Sequence, residues 1–153
     1  ELSWADYETW LRQRWIEDAG KGGLAEGLVR AMIAMARVGG VIGRRHYAVA
    51  AEIAKTHQVL RKIRPAVFRR MVKEQYCILQ ADEERALEAL RELIPGEHDR
   101  DEALALARRI ALADGSYREQ EKAMLAKIAR GLGIDPAEPA ENKLLKFTGE
   151  KRM

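Results

Sequence analysis

Apolar residues recur along nearly the whole chain at spacings of three and four, and no run alternates apolar with polar β-branched positions. That pattern predicts an all-α fold. Ser3 with Asp6 forms a capping box for a first helix, with a staple between Leu2 and Tyr7, and Trp4, Tyr7, Leu11 and Trp15 fall on one face that is expected to dock on the bundle. Residues 18–23 (DAGKGG) read as a connector. The spacing predicts a second helix over Leu24 to Val38 and a third over Arg44 to Arg64, stopped by the residue before Pro65. Pro65 suits the first turn of a fourth helix reaching Gln80, and Asp82 caps a fifth as far as Leu93. Asp99 with Glu102 boxes the start of a sixth helix to Ala113, and a seventh follows Gly115 and closes at Gly133 with Ile134 packed behind it. Asp135-Pro136 starts a last short helix through Leu144, Leu145 and Phe147, ahead of a tail over 148–153.

The pattern also repeats itself. Residues 39–54 (GGVIGRRHYAVAAEIA) and 114–129 (DGSYREQEKAMLAKIA) align without a gap at an offset of 75, pairing Gly40 with Gly115, Ala48 with Ala123, Ile53 with Ile128 and Ala54 with Ala129. Each paired glycine follows an apolar helical run, where a residue free to take positive φ ends the helix and lets the next one fold back. One domain over 1–153 is expected, a bundle of about seven or eight helices containing two helix-turn-helix units over about 24–64 and 99–134. The two hairpins should pack about a pseudo-twofold axis, with Ile53 and Ile128 in one core. Residues 1–23 supply the aromatic N-terminal helix and its glycine-rich connector.

The copies differ where chemistry is concerned. The second holds Asp114 and Glu121 where the first holds Gly39 and His46. Hard cations want several oxygens at one point, so Asp114, Glu121 and His46, with Glu119 nearby, are the candidate metal ligands. Gly115 and Glu121 fit the sixth and twelfth places of an EF-hand loop, but Ile110 and Leu112 fall on the first and third, which need side-chain oxygens. A conventional calcium loop is therefore excluded. The preferred reading is purely architectural, with metal binding as its alternative: Asp114-Gly115 stops a helix, Ser116 and Glu119 form a capping box, and Glu121 sits favourably in a first turn.

Ala113-Asp114-Gly115-x5-Glu121, continuing through Leu125, Ile128, Ala129 and Leu132-Gly133-Ile134, resembles the signature of the TerB-like tellurite-resistance superfamily. The resemblance implies a duplicated all-helical domain, in which acidic residues of both repeats are implicated in metal binding. A longer series resembles the C-terminal part of bacterial polyhydroxyalkanoate synthase-like proteins of unresolved function. It comprises residues 27–30 (GLVR), 68–76 (FRRMVKEQY), 82–86 (DEERA) and 93–95 (LIP). Together these resemblances imply a noncatalytic TerB-like accessory or interaction domain, a C-terminal portion of a larger polypeptide that docks on a protein partner or on an upstream domain of the same chain. The alternatives are a stand-alone metal-responsive protein of the tellurite-resistance type and a basic module for phosphate-rich or acidic partners.

Charge sharpens the last alternative. The net +3 of 153 residues hides an excess of 10 Lys/Arg over 1 Asp/Glu between Arg37 and Lys73. Such a local excess attracts phosphate, acidic protein or anionic headgroups. Arg61, Lys62, Arg64, Arg69, Arg70 and Lys73 either hold an anionic partner or form a solvated face, partly paired with the acidic run Asp82, Glu83, Glu84, Glu88 and Glu92. No nucleic-acid motif accompanies them, so specific nucleic-acid binding is not expected. Trp10 lies off the apolar stripe and is the candidate partner anchor.

Catalysis finds little footing. Ser3 and Ser116 are the only serines and neither lies in a nucleophile elbow, Cys77 falls on an apolar helical face, and His57 and His98 read as surface or capping residues. No enzyme activity and no organic cofactor are expected, a divalent metal being the one candidate ligand. The lone cysteine gives no disulfide framework, Leu28 to Val38 is short and carries Arg30 and Arg37, and Leu2 to Leu11 is broken by Asp6 and Glu8. A cytoplasmic chain without a transmembrane segment is the expectation.

Overall fold

A computed structural model describes residues 3–136. Leu2 of the expected staple, the last helix through Phe147 and the tail lie outside these residues. Among the described residues there are eight α-helices and no strand: α1 Trp4–Glu17, α2 Leu24–Ala36, α3 Arg44–Thr56, α4 Pro65–Ala81, α5 Glu83–Glu88, α6 Leu90–Leu93, α7 Glu97–Ala111 and α8 Glu119–Gly131. Short 3-10 turns lie at Asp18–Gly20 and Leu60–Lys62.

The bundle is built around α2, because its residues from Gly27 to Ala36 are all buried and an element apolar all round must be covered on every side. It packs chiefly on α7 and α4, and also against α3, α6 and α8. Ile53 of α3 and Ile128 of α8 join the same core, as the paired sequences predict. Both helices have 13 residues, and their first and last residues are each separated by the 75-residue offset. Gly40 (φ +94) and Gly115 (φ +81) take the left-handed conformation that ends α2 and α7. The turns are not identical: Gly39 is also left-handed at φ +93, whereas Asp114 is not. Aspartate in place of Gly39 would meet that backbone conformation at a steric cost.

One residue of the buried stretch of the central helix is charged. The Arg30 guanidinium is fully buried and donates to Gln75 Oε1 (2.8 Å), Ala19 O (2.7 Å) and Ala86 O (2.9 Å). Burial above all, and then the nearby charge of Arg85, lowers its pKa to about 10, with Glu26 pulling the other way. It therefore remains charged at neutral pH.

Most predicted ends hold: Ser3 and Asp6 bond reciprocally, Pro65 opens α4, Asp82 Oδ1 accepts from Arg85 N–H, and Gly133 (φ +78) closes α8 with Ile134 buried behind it. Others differ for identifiable reasons. The third helix stops at Thr56 rather than Arg64, because His57 turns extended (ψ 132°), its Nδ1 accepts from Val59 N–H, and its Nε2 side meets Glu102 of α7. His57 is thus a cap with a distant partner. The fifth helix breaks at Ala89 into α5 and α6, and α7 starts at Glu97 behind Gly96 rather than at Asp99.

The first helix also departs from expectation. Trp4 is 72% exposed and α1 has no buried residue, so the face of Trp4, Tyr7, Leu11 and Trp15 does not dock as a whole. Trp15 packs on the core, and Arg12 Nε ties α1 to Ala81 O of α4 at 2.8 Å. Trp4, Tyr7 and Trp10 instead form an exposed ladder, with centroid separations of 5.6 and 6.0 Å.

Candidate metal centre

The three predicted ligands meet. His46 and Glu121 each occupy the third position of their helices, α3 and α8, and Asp114 lies in the turn between α7 and α8. One ligand atom from each residue falls within 4.8 Å of the other two. The side chains of His46, Glu121 and Asp114 are 15%, 6% and 20% exposed, so the cluster is sheltered but open to an ion.

Local hydrogen bonds aim each group. Glu121 Oε1 accepts from Arg118 N–H at 3.1 Å, reaching back over the start of α8, which leaves Oε2 facing His46 Nε2 at 3.4 Å. Asp114 Oδ1 accepts from both Ser116 N–H (3.1 Å) and Ser116 Oγ–H (3.0 Å). The Ser116 backbone bond foremost, then its hydroxyl, hold the Asp114 carboxyl below the usual range, and the charges of His46 and Arg118 add to the effect. Ser116 therefore serves Asp114, and the expected Ser116–Glu119 capping box does not form, its place being taken by Glu121 and Arg118.

Gly43 makes the imidazole's position accessible. A Cβ there would lie 2.9 Å from His46 Nδ1. The sequence pattern alone did not single out this residue, although the offset pairing of Gly43 with Arg118 marks it as a place where the copies diverge. Glu119 points elsewhere and bonds Lys122 Nζ at 3.2 Å.

One imidazole and two carboxylates are a mixed nitrogen and oxygen set, which suits a first-row divalent ion better than calcium with its six to eight oxygens. His46, Asp114 and Glu121 would each supply one donor atom to such an ion.

The other candidates are dispersed. Arg61 and Lys62 sit on the 3-10 turn, Arg64 caps α4, and Arg69, Arg70 and Lys73 lie on α4, all exposed. The acidic run does not neutralise them: Glu83 pairs with Arg37 (2.8 Å) and Lys127 (3.5 Å), and Glu92 with Arg85 (3.7 Å). Trp10 is 52% exposed, with Arg14 stacked 5.3 Å from its ring. Among the described residues no helix is long and apolar enough to cross a membrane.

The fold and the cluster together define an all-helical bundle whose paired hairpins present acidic and imidazole groups to one point. The chain belongs to the TerB family: the family described as tellurite resistance protein TerB matches residues 25–144. A relative from Rhizobium meliloti, described as "Uncharacterized protein in ackA 5'region", is 30% identical over 99 residues, covering 64% of this chain. The matched stretch spans 14% of that protein's length. No solved structure matches the chain.

Proposed function

We propose that this chain is a noncatalytic accessory domain whose paired hairpins are latched by a divalent first-row metal ion bound to His46, Asp114 and Glu121. The observation that carries the reading is the convergence of ligand atoms from α3, α8 and the α7–α8 turn within 4.8 Å. A metal at that point would join the two hairpins, and its binding energy would stabilise the arrangement in which they meet. The noncatalytic part is supported by the use of both serine hydroxyls in local structure: Ser3 bonds Asp6, and Ser116 bonds Asp114.

Docking on a partner, or on an upstream domain of the same polypeptide, is supported by the exposed ladder of Trp4, Tyr7 and Trp10. The much greater length of the Rhizobium meliloti relative favours a larger polypeptide as the context. The resemblance to polyhydroxyalkanoate synthase-like proteins gives that context a candidate identity. A cytoplasmic setting fits a thiol left free at Cys77.

Calorimetric titration of Zn²⁺ into the wild type, His46→Ala and Asp114→Ala tests the metal reading. A saturable heat that disappears in both variants is expected, with no sub-micromolar Ca²⁺ binding. Equal Zn²⁺ heats in all three proteins would overturn it.

A further inference from the structure

The bundle opens a cavity of about 540 Å³ between α2, α3, the second 3-10 turn and the start of α4. Its floor is Met32 and Ile33 of the central helix, and Phe68 of α4 closes one side. The opposite wall is made of small side chains, Ala50, Ala51 and Ala54 of α3. At the 75-residue offset Leu125 stands where α3 has Ala50, so the first hairpin carries less side-chain volume at that place than the second.

The cavity's charged groups are of one sign. Lys55, Arg61 and Arg69 lie on its edge, all exposed, and no aspartate or glutamate lines it. Among the described residues none of these three cations makes an ion pair. An apolar chamber of this size lies in the range of small-molecule sites, where a few charged groups fix orientation. A simple phosphate would leave the apolar floor unused, and a neutral lipid would leave the cations without a counter-charge. A flat membrane surface does not enter a concave chamber walled by helices.

The geometry points to a binding site for a single fatty carboxylate, with its alkyl chain against Met32, Ile33 and Phe68 and its carboxylate among Lys55, Arg61 and Arg69. Burying the chain supplies the bulk of the affinity at roughly 25 cal/mol per Å² of apolar surface removed from water. The three cations select the anionic head and orient it outward. This site is separate from His46, Asp114 and Glu121, so it stands whether or not a metal binds there.

The test is calorimetric titration of dodecanoate, kept below its micelle-forming concentration, into the chain in metal-free buffer. Saturable one-to-one binding is expected, weakened by about tenfold or more in Arg61→Glu/Arg69→Glu, a loss equal to about 1.4 kcal/mol. Ala51→Trp, which fills the chamber, should weaken binding to a similar degree with an unchanged helical circular-dichroism spectrum. Dodecyltrimethylammonium, with the same chain and the opposite head, should bind at least about tenfold more weakly than dodecanoate. No saturable binding, equal affinity for the two heads, or binding untouched by both variants would overturn the assignment. Capture by phosphatidylglycerol vesicles with no binding of monomeric dodecanoate would overturn it too, and would mark the basic edge as a membrane-facing surface.

Discussion

His46 and Glu121 face each other at 3.4 Å although they stand 75 residues apart, the separation that relates the two hairpins. Equivalent positions on α3 and α8 have thus become contact partners. Replacing His46 by glutamate restores the second hairpin's residue type but sets two sheltered carboxylates together without a cation. His46→Glu is expected to destabilise the metal-free chain by roughly 0.5–3 kcal/mol, with the loss recovered on adding Ca²⁺ or Mg²⁺. Thermal melts in chelator and in either ion check this, and equal melting temperatures in both would count against it.

Asp114 gives a pH signature. Its carboxyl is held below the usual range chiefly by Ser116, so the fold gains stability from the ionised form above the unfolded-state value, and loses that gain as pH falls through the folded value. Asp114→Asn should therefore be less stable than the wild type near neutral pH, with the gap narrowing below about pH 4. Urea titrations across the acid range measure the gap. A difference that widens with acid would mean that the fold favours the protonated carboxyl instead.

Gly131 marks a backbone contact between α8 and α5. A Cβ there would overlap Leu87 O, a backbone atom that cannot swing aside as a side chain can. Gly131→Ala should cost roughly 1–3 kcal/mol despite alanine's better helix propensity, whereas an alanine that leaves stability unchanged would mean the helices part freely.

The tryptophans of α1 should separate by function. Trp10→Ala is expected to change stability by no more than roughly 0.5 kcal/mol, while Trp15→Ala, which removes a ring packed on the core, costs more. Denaturant unfolding of the two variants decides it. If both cost the same, Trp10 is a structural residue and not an available anchor.

Much of the fold is legible along the chain because local chemistry sets it. Caps at Ser3 and Asp82, the proline opening α4 and the glycines ending α2 and α7 are decisions made within a turn. The meeting of His46 with Glu121 is legible because a gapless offset places them on matching turns of α3 and α8. Features that the pattern does not reveal depend on distant contacts. The end of α3 follows from His57 meeting Glu102, 45 residues away, and the exposure of Trp4 from how α1 leans on α4. The chamber over Met32 belongs to no single element; the Ala50–Leu125 difference and the basic residues Arg61 and Arg69 are its traces in the sequence.

Arg30 has a further consequence for motion. Its one guanidinium serves Ala19 of the first 3-10 turn, Gln75 of α4 and Ala86 of α5. Any of these segments that lifts away leaves the buried charge with one acceptor fewer, so each partial opening carries a share of the cost of opening all three. The amide protons of α2, α4 and α5 should accordingly exchange with solvent as one cooperative unit rather than helix by helix. A single buried ionic group in the central helix thereby turns three separate neighbours into one folding unit.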